Sequence, residues 1–203
     1  EDIQMELHDL YVLRNALTTE RGVWKQRKLQ YNQGNTKRFI ERVSKALDKE
    51  IAALDDTIEQ RVKSLEVYKA IFEEVVKIVG VGPNTACAIL CLLPEIGVLN
   101  SNKISKLAGL APIPNESGTA IKKTAHIRGG RKHVRTALYM PCLSACRYNP
   151  VLRSYYQRIK EHKGGDKVKG AKAIALTATM RKLLIHINSV ARRVREKMQR
   201  NVA

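Results

Sequence analysis

Residues 34–65 read GNTKRFIERVSKALDKEIAALDDTIEQRVKSL, and this stretch decides the class of fold. Its apolar positions Ile40, Val43, Leu47, Ile51, Leu54, Ile58, Val62 and Leu65 step by three, four, four, three, four, four and three. That is the period of one helical face, and its eleven-residue repeat predicts a long, nearly straight helix. Upstream, Ile3, Leu10, Leu17, Trp24 and Tyr31 recur every seven residues with Leu7 and Leu13 beside them, which predicts a first helix to about Tyr31. Between the two, Asn32-Gln33-Gly34-Asn35-Thr36 combines a helix-stopping glycine with capping residues, so the chain is expected to reverse there. Two helices of roughly 45 and 60 Å joined by so short a turn form an antiparallel, coiled-coil-like arm, placed over residues 1–75. Such an arm is expected either to build a homo-oligomer or to fold against the remainder of the chain.

The 203 residues carry 37 Lys+Arg against 19 Asp+Glu, a formal charge of +18, and the excess is not spread evenly. Residues 1–75 hold 13 basic and 14 acidic side chains, whereas residues 76–203 hold 24 and 5. A half-chain so basic creates a potential that recruits a polyanion, and nucleic acid is the simplest one. No uninterrupted apolar run is long enough for a membrane span. A membrane surface or a ribosomal-type partner is the lesser alternative, and the cytoplasm is the expected location. The few carboxylates of the basic half, Glu95, Glu116, Glu161, Asp166 and Glu196, are scattered, so no magnesium-dependent nuclease site is expected to be complete within it. Cys87/Cys91 and Cys142/Cys146 have the i,i+4 spacing of helix faces; they read as reduced, buried small residues, with a four-cysteine metal site between two helices as the alternative.

The second unit, residues 76–203, is expected to be a compact helical domain. It opens with Ile78-Val79-Gly80-Val81-Gly82-Pro83-Asn84-Thr85-Ala86, two glycines in a tight turn between an apolar helix and a second one running to about Leu93. This has the form of a helix-hairpin-helix, with Gly80, Gly82, Asn84 and Thr85 placed to meet a DNA phosphate at a helix start. A short helix is predicted around Asn102 to Ala108. The run from Gly109 to Thr119 has so many turn formers that it reads as a loop. Downstream, Lys122, Lys123, His126, Arg128, Arg131, Lys132, His133 and Arg135 surround Gly129-Gly130, so a hydroxyl at Ser117 is expected near a cluster of cations. Three more helices are predicted, from about Arg131 to Arg147, from Asn149-Pro150 to His162, and from Ala171 to about Lys197, with a frayed tail beyond Glu196. The fold class is therefore mainly α.

Taken together, these motifs resemble a known family, the insertion-sequence transposases with a RuvC-like DEDD domain, related to Piv-type DNA invertases and in some members guided by a bridge RNA. The resemblance rests on Gly80-Val81-Gly82-Pro83-Asn84-Thr85-Ala86, on Ala108-Gly109-Leu110-Ala111-Pro112 followed by Glu116-Ser117-Gly118-Thr119, and on Arg135-Thr136-Ala137-Leu138-Tyr139-Met140. It continues through Asn149-Pro150, Tyr155-Tyr156 and Met180-Arg181-Lys182-Leu183-Leu184, in order over about residues 76–193. It implies that residues 1–75 follow a DEDD domain absent from this sequence, that Mg2+ is held by that domain's carboxylates, and that Ser117 is the nucleophile on a DNA phosphodiester. The segment from Lys122 to Arg135 departs from the family pattern, with Ala125-His126 and Gly129-Gly130 where many members have a Gly, Ser and Lys arrangement.

A serine hydroxyl is a weak nucleophile without a base or metal and without cations to hold the developing charge. Arg128, Arg131 and Arg135 are the candidate phosphate clamps, with Lys122 and Lys123 as point charges and Lys132 a further DNA contact; the alternative makes all of them backbone contacts to DNA without a chemical role. His126 and His133 read as phosphate or structural hydrogen bonders. DNA, and in guided members a bridge RNA, are the expected partners, and the competing reading is a non-catalytic nucleic-acid-binding helical protein.

Overall fold

The computed structural model describes residues 2–31, 33–117 and 120–202; for residues 113–117, 120–126 and 202 the description is of the backbone. The fold is mainly α, as the periodicities predict. The chain divides into two compact units, Glu1–Leu65 and Glu66–Ala203.

The first unit is a helical hairpin of α1 (Asp2–Gln30) and α2 (Gly34–Ser64). Gly34 is the first residue of α2 and Gln33 its N-cap, so the turn is made without the left-handed stopping glycine the sequence reading invoked. The helices run antiparallel, and their register is written in charge. Arg14 donates from Nε and Nη2 to Asp55 at 2.8 and 3.1 Å, Arg21 reaches Asp48 at 2.8 Å and Lys28 reaches Glu41 at 2.7 Å. Each step of seven along α1 is matched by a step of seven back along α2, and Leu7 and Val62, one step further from the turn, are both fully buried. In the stripe Ile3, Leu10, Leu17, Trp24, Tyr31 the middle three residues are half-buried. Ile3 and Tyr31 are exposed, while Leu7 and Tyr11 are the buried residues of α1. On α2 the eleven-residue reading fits better, with Ile40, Ile51, Ile58 and Val62 buried.

The boundary between units lies at Leu65, ten residues before the one read from sequence. Leu65 is extended at φ −96° and ψ 113° and ends α2, which makes that helix about 47 Å long rather than 60 Å. The following α3 (Glu66–Val75) belongs to the second unit, where Ile71, Phe72 and Val75 are buried. Next come α4 (Pro83–Leu92) and α5 (Ser101–Leu107). Every residue of α4 from Ala86 to Leu92 is buried, as expected for a helix apolar all round.

The segment read as a loop contains an antiparallel β-hairpin, β1 (Pro112–Ser117) and β2 (Ala120–Ile127). The prolines that argued against a strand sit where a strand tolerates them. Pro112 is the first residue of β1, and Pro114 lies at an irregularity between the pairs Ile113↔His126 and Asn115↔Lys122, where β2 carries extra residues.

Three helices close the unit: α6 (Lys132–Tyr148), α7 (Pro150–His162) and α8 (Ala171–Val202). Asn149 ends α6 and caps α7, accepting hydrogen bonds from the Val151 and Leu152 amides at 3.1 and 3.2 Å. The helix α8 is the axis of the core, packing on α3, α5, α6 and α7 through buried Ala175, Leu183, Leu184 and Ile187. It runs on to Val202 rather than fraying after Glu196. The four cysteines stand as thiols, not disulfides; burial pushes Cys91 up to about 12, with Cys87 adding to the effect, and raises Cys142 as well. Among the described residues no helix is long and apolar enough to cross a membrane.

Candidate nucleic-acid interface

The glycine turn separates two roles that look alike in sequence. Gly80 is left-handed at φ 98°, and a Cβ built there would lie 2.7 Å from the Cα, Cβ and N of Ala145. Its lack of a side chain serves the packing of the turn on α6. Gly82 has an ordinary φ of −94°, caps α4, and has open space where a Cβ would stand. Pro83 and Asn84 are exposed and Thr85 half-buried, so the start of this ten-residue helix lies at the surface; Pro83 has no N–H, and the Thr85 and Ala86 amides donate to the Gly82 carbonyl at 3.0 and 3.1 Å.

A second pair of glycines holds the base of the β-hairpin. Gly109 and Gly130 are left-handed at φ 65° and 64° and lie against one another; a Cβ on Gly130 would come within 2.3 Å of the Gly109 nitrogen. Arg131 N–H donates to the Leu107 carbonyl at 2.8 Å across the same neck. At the far end Ser117 pairs with Ala120, and the tip residues Gly118 and Thr119 lie outside the described residues. At about 3.3 Å per residue, Ser117 stands roughly 16 Å along the strand from Pro112. The side chains of Ser117, Lys122, Lys123 and His126 lie outside the described set; by register Lys122 sits on the strand opposite Asn115.

The arginines assigned to a phosphate clamp belong to the base of the hairpin, not its tip. Arg131 forms a two-pronged pair with Glu95 at 2.6 and 2.7 Å and donates to the Leu92 carbonyl at 2.8 Å. Burial raises the Glu95 carboxyl, but the Arg131 hydrogen bond, a backbone hydrogen bond and the Arg131 charge outweigh it and hold Glu95 below its ordinary value. Arg135 Nη1 donates to the carbonyls of Gly129 at 2.7 Å and Ala108 at 3.2 Å, tying together the two ends of the neck. Both are therefore framework residues. Arg128, Lys132 and His133 are exposed.

Sequence reasoning missed a parallel set on α8. Asn188, 2% exposed, accepts from the Gly97 amide at 2.8 Å and donates to the Leu99 carbonyl at 2.9 Å, while Arg192 donates to Leu99 and Arg195 to Ile96 at 2.7 and 2.9 Å. It also missed cations on α7 and α8, where Arg158 and Lys182 lie 5.4 and 5.7 Å from the Tyr155 ring centre. The i,i+3 spacing of Tyr155 and Arg158 on a helix was the available signal.

Magnesium needs several converging oxygen ligands, and the carboxylates described here do not supply them. Glu95 is tied to Arg131, and Asp166 lies 2.9 Å from both Lys172 and Lys160, which pull its carboxyl down to about 2. Among the described residues no three His, Cys, Asp or Glu side chains are grouped to hold a metal. These residues do not fit a magnesium site.

This geometry defines a helical protein whose basic unit displays a glycine-necked hairpin and a helix start at the surface. Residues 73–157, from the end of α3 into α7, match the transposase IS116/IS110/IS902 family. The chain is also similar to the insertion element IS110 uncharacterized 43.6 kDa protein of Streptomyces coelicolor (strain ATCC BAA-471 / A3(2) / M145), 30% identical over 80 residues. That stretch is 39% of this chain and 20% of the relative, so the alignment spans about a fifth of the relative's length.

Proposed function

We propose that this chain is the DNA-binding, serine-bearing part of a transposase acting in DNA transposition and site-specific recombination. The observation that carries the reading is that the transposase-family segment and nearly all the excess charge fall in one compact unit: residues 66–203 hold 25 basic and 8 acidic side chains, residues 1–65 hold 12 and 11. Gly82, Asn84 and Thr85 meet the DNA backbone in the manner of a helix-hairpin-helix, and Lys122, Lys123, Arg128 and Lys132 supply phosphate contacts along and beneath the hairpin. A guide RNA is a second polyanionic partner for the same surface, and the arm joins copies of the chain through exposed residues such as Leu13, Leu29 and Phe39.

Ser117, at the outer end of β1, is the nucleophile. Its Oγ forms a bond to a DNA phosphorus as the bond from phosphorus to the departing strand's oxygen breaks; the hydroxyl proton goes to a base and the departing oxygen takes one up. A hydroxyl needs such a base and cations around the phosphate. With Arg131 and Arg135 committed to the framework, activation falls to a DEDD domain outside these residues. The test joins that domain to this chain and compares Ser117→Ala with the parent in strand exchange, where loss of exchange with retained DNA binding is expected and unchanged exchange overturns the nucleophile. Alone, the chain is expected to bind supercoiled plasmid in magnesium without nicking it. The framework role of Arg131 and Arg135 also favours a second reading, a non-catalytic nucleic-acid-binding protein, which predicts exchange insensitive to Ser117→Ala.

A further inference from the structure

Beside the base of the hairpin, α7 and α8 border a cleft of about 320 Å3, at the low end of the roughly 300–1,000 Å3 typical of ligand sites. One turn after another of α8 lines it, with Ile174, Thr177, Ala178 and Arg181, and Tyr155 comes from α7. Pro112 and Ile127, the first and last residues of the hairpin, complete the apolar rim. Three properties single it out. It is apolar yet open, with Ile174 and Ile127 50% and 41% exposed. Its aromatic residue has two cations near the ring, Arg158 and Lys182, and among the described residues no acidic side chain lines it. Its arginine has a buried Nε–H with no hydrogen-bond partner among the described residues, although Nη2 of the same guanidinium reaches Asn102 Oδ1 at 3.4 Å.

An apolar face, a ring to stack on, a buried donor with no described partner and surrounding cations together select a ligand that is planar, carries hydrogen-bond acceptors on its edge and is attached to negative charge. We propose that the cleft receives one unpaired nucleobase of a bound strand, stacked on Tyr155, with Arg181 donating to an acceptor on the base edge and Arg158 and Lys182 holding the flanking phosphates. Stacking of bases on aromatic side chains and guanidinium donation to base acceptors are the general means by which unstacked bases are held. The site lies at the root of the strand that carries Ser117, so a base held there would fix the register of the strand relative to the hairpin. The inference rests on the nucleic-acid-binding reading above.

The test titrates the full chain at fixed salt into a fully paired duplex, the same duplex with a single bulged 2-aminopurine, and an RNA version of each. Bulged duplex is expected to bind about tenfold tighter than paired duplex, with quenching of 2-aminopurine emission. Tyr155→Ala is expected to remove the preference and Tyr155→Phe to keep it. Ile174→Trp, at a half-exposed position that leaves the core untouched, is expected to fill the cleft and remove the preference while affinity for paired duplex is unchanged. Preference in the DNA bulge alone or the RNA bulge alone assigns the strand and supports the site. Paired and bulged duplexes bound equally would overturn it while leaving the nucleic-acid-binding reading intact; no binding of any duplex at low salt would sink both. Equal binding together with self-association that Ile174→Trp abolishes would give the cleft to a second copy of the chain, and also overturns the proposal.

Discussion

The two units use arginine in opposite ways. In the arm, Arg14 and Arg21 reach across to Asp55 and Asp48, cation meets carboxylate, and the charges cancel. In the second unit Arg135, Arg192 and Arg195 donate to the carbonyls of Gly129, Leu99 and Ile96, and among the described residues only Arg131 of this unit's arginines pairs with a carboxylate. A carbonyl satisfies a guanidinium without neutralising it. These arginines brace irregular backbone and still add to the field that draws a polyanion, so framework and attraction come from the same side chains.

The sharpest way to break this contrast is at the packed turn. Gly80→Ala adds a Cβ into Ala145 at a left-handed position, and an effect of about 3 kcal/mol on unfolding is expected. Gly82→Ala, in open space, should leave the melting temperature within a degree or two of the parent and act, if anywhere, on DNA affinity. Next in size is Asn188→Ala, which leaves the Gly97 amide buried without its acceptor and should cost about 2 kcal/mol by denaturant unfolding.

Arg131→Ala is smaller, about 1 kcal/mol, because the pair with Glu95 is about a third exposed. Its signature is in pH. The Glu95 carboxyl titrates lower in the folded chain than unfolded, so its contribution is complete above the unfolded value of about 4.3 and is lost as pH falls through the folded one. Stability curves of parent and variant should therefore converge in acid, and a constant gap across that range would show that the carbonyl contact, not the ion pair, matters. Smallest is the Arg14/Asp55 double-mutant cycle, with a coupling of about 0.5 kcal/mol that added salt should reduce, whereas the cost of Asn188→Ala should be insensitive to salt.

The helices were legible because their signals are local: the α2 periodicity, the Asn149-Pro150 cap and the apolar run of α4 each specify their element without help. The hairpin was not, since Pro112, Pro114 and Gly109 are punctuation in one dimension, and only the Gly109–Gly130 contact makes them the start of a strand. The arm's seam was only partly legible for a related reason. Leu10, Leu17 and Trp24 are half-buried as their hydrophobicity suggests, but α1 also sends Arg14, Arg21 and Lys28 across to α2, and their value appears only when Asp55, Asp48 and Glu41 are placed opposite. For the site, charge asymmetry was readable from counting, and the outward-facing Gly82 from its motif. Which cations were spoken for was not, because Glu95 and the carbonyls of Gly129 and Ala108 lie 36, 6 and 27 residues from their arginines.

The seven-residue ladder of ion pairs constrains how this protein can vary. Removing or inserting residues in one arm helix would slide every cation past its carboxylate, whereas a matched heptad taken from both helices restores each partnership. The span of the arm is thus quantised in steps of about 10 Å, and descendants that lengthen or shorten it without losing cohesion are those that edit both helices together.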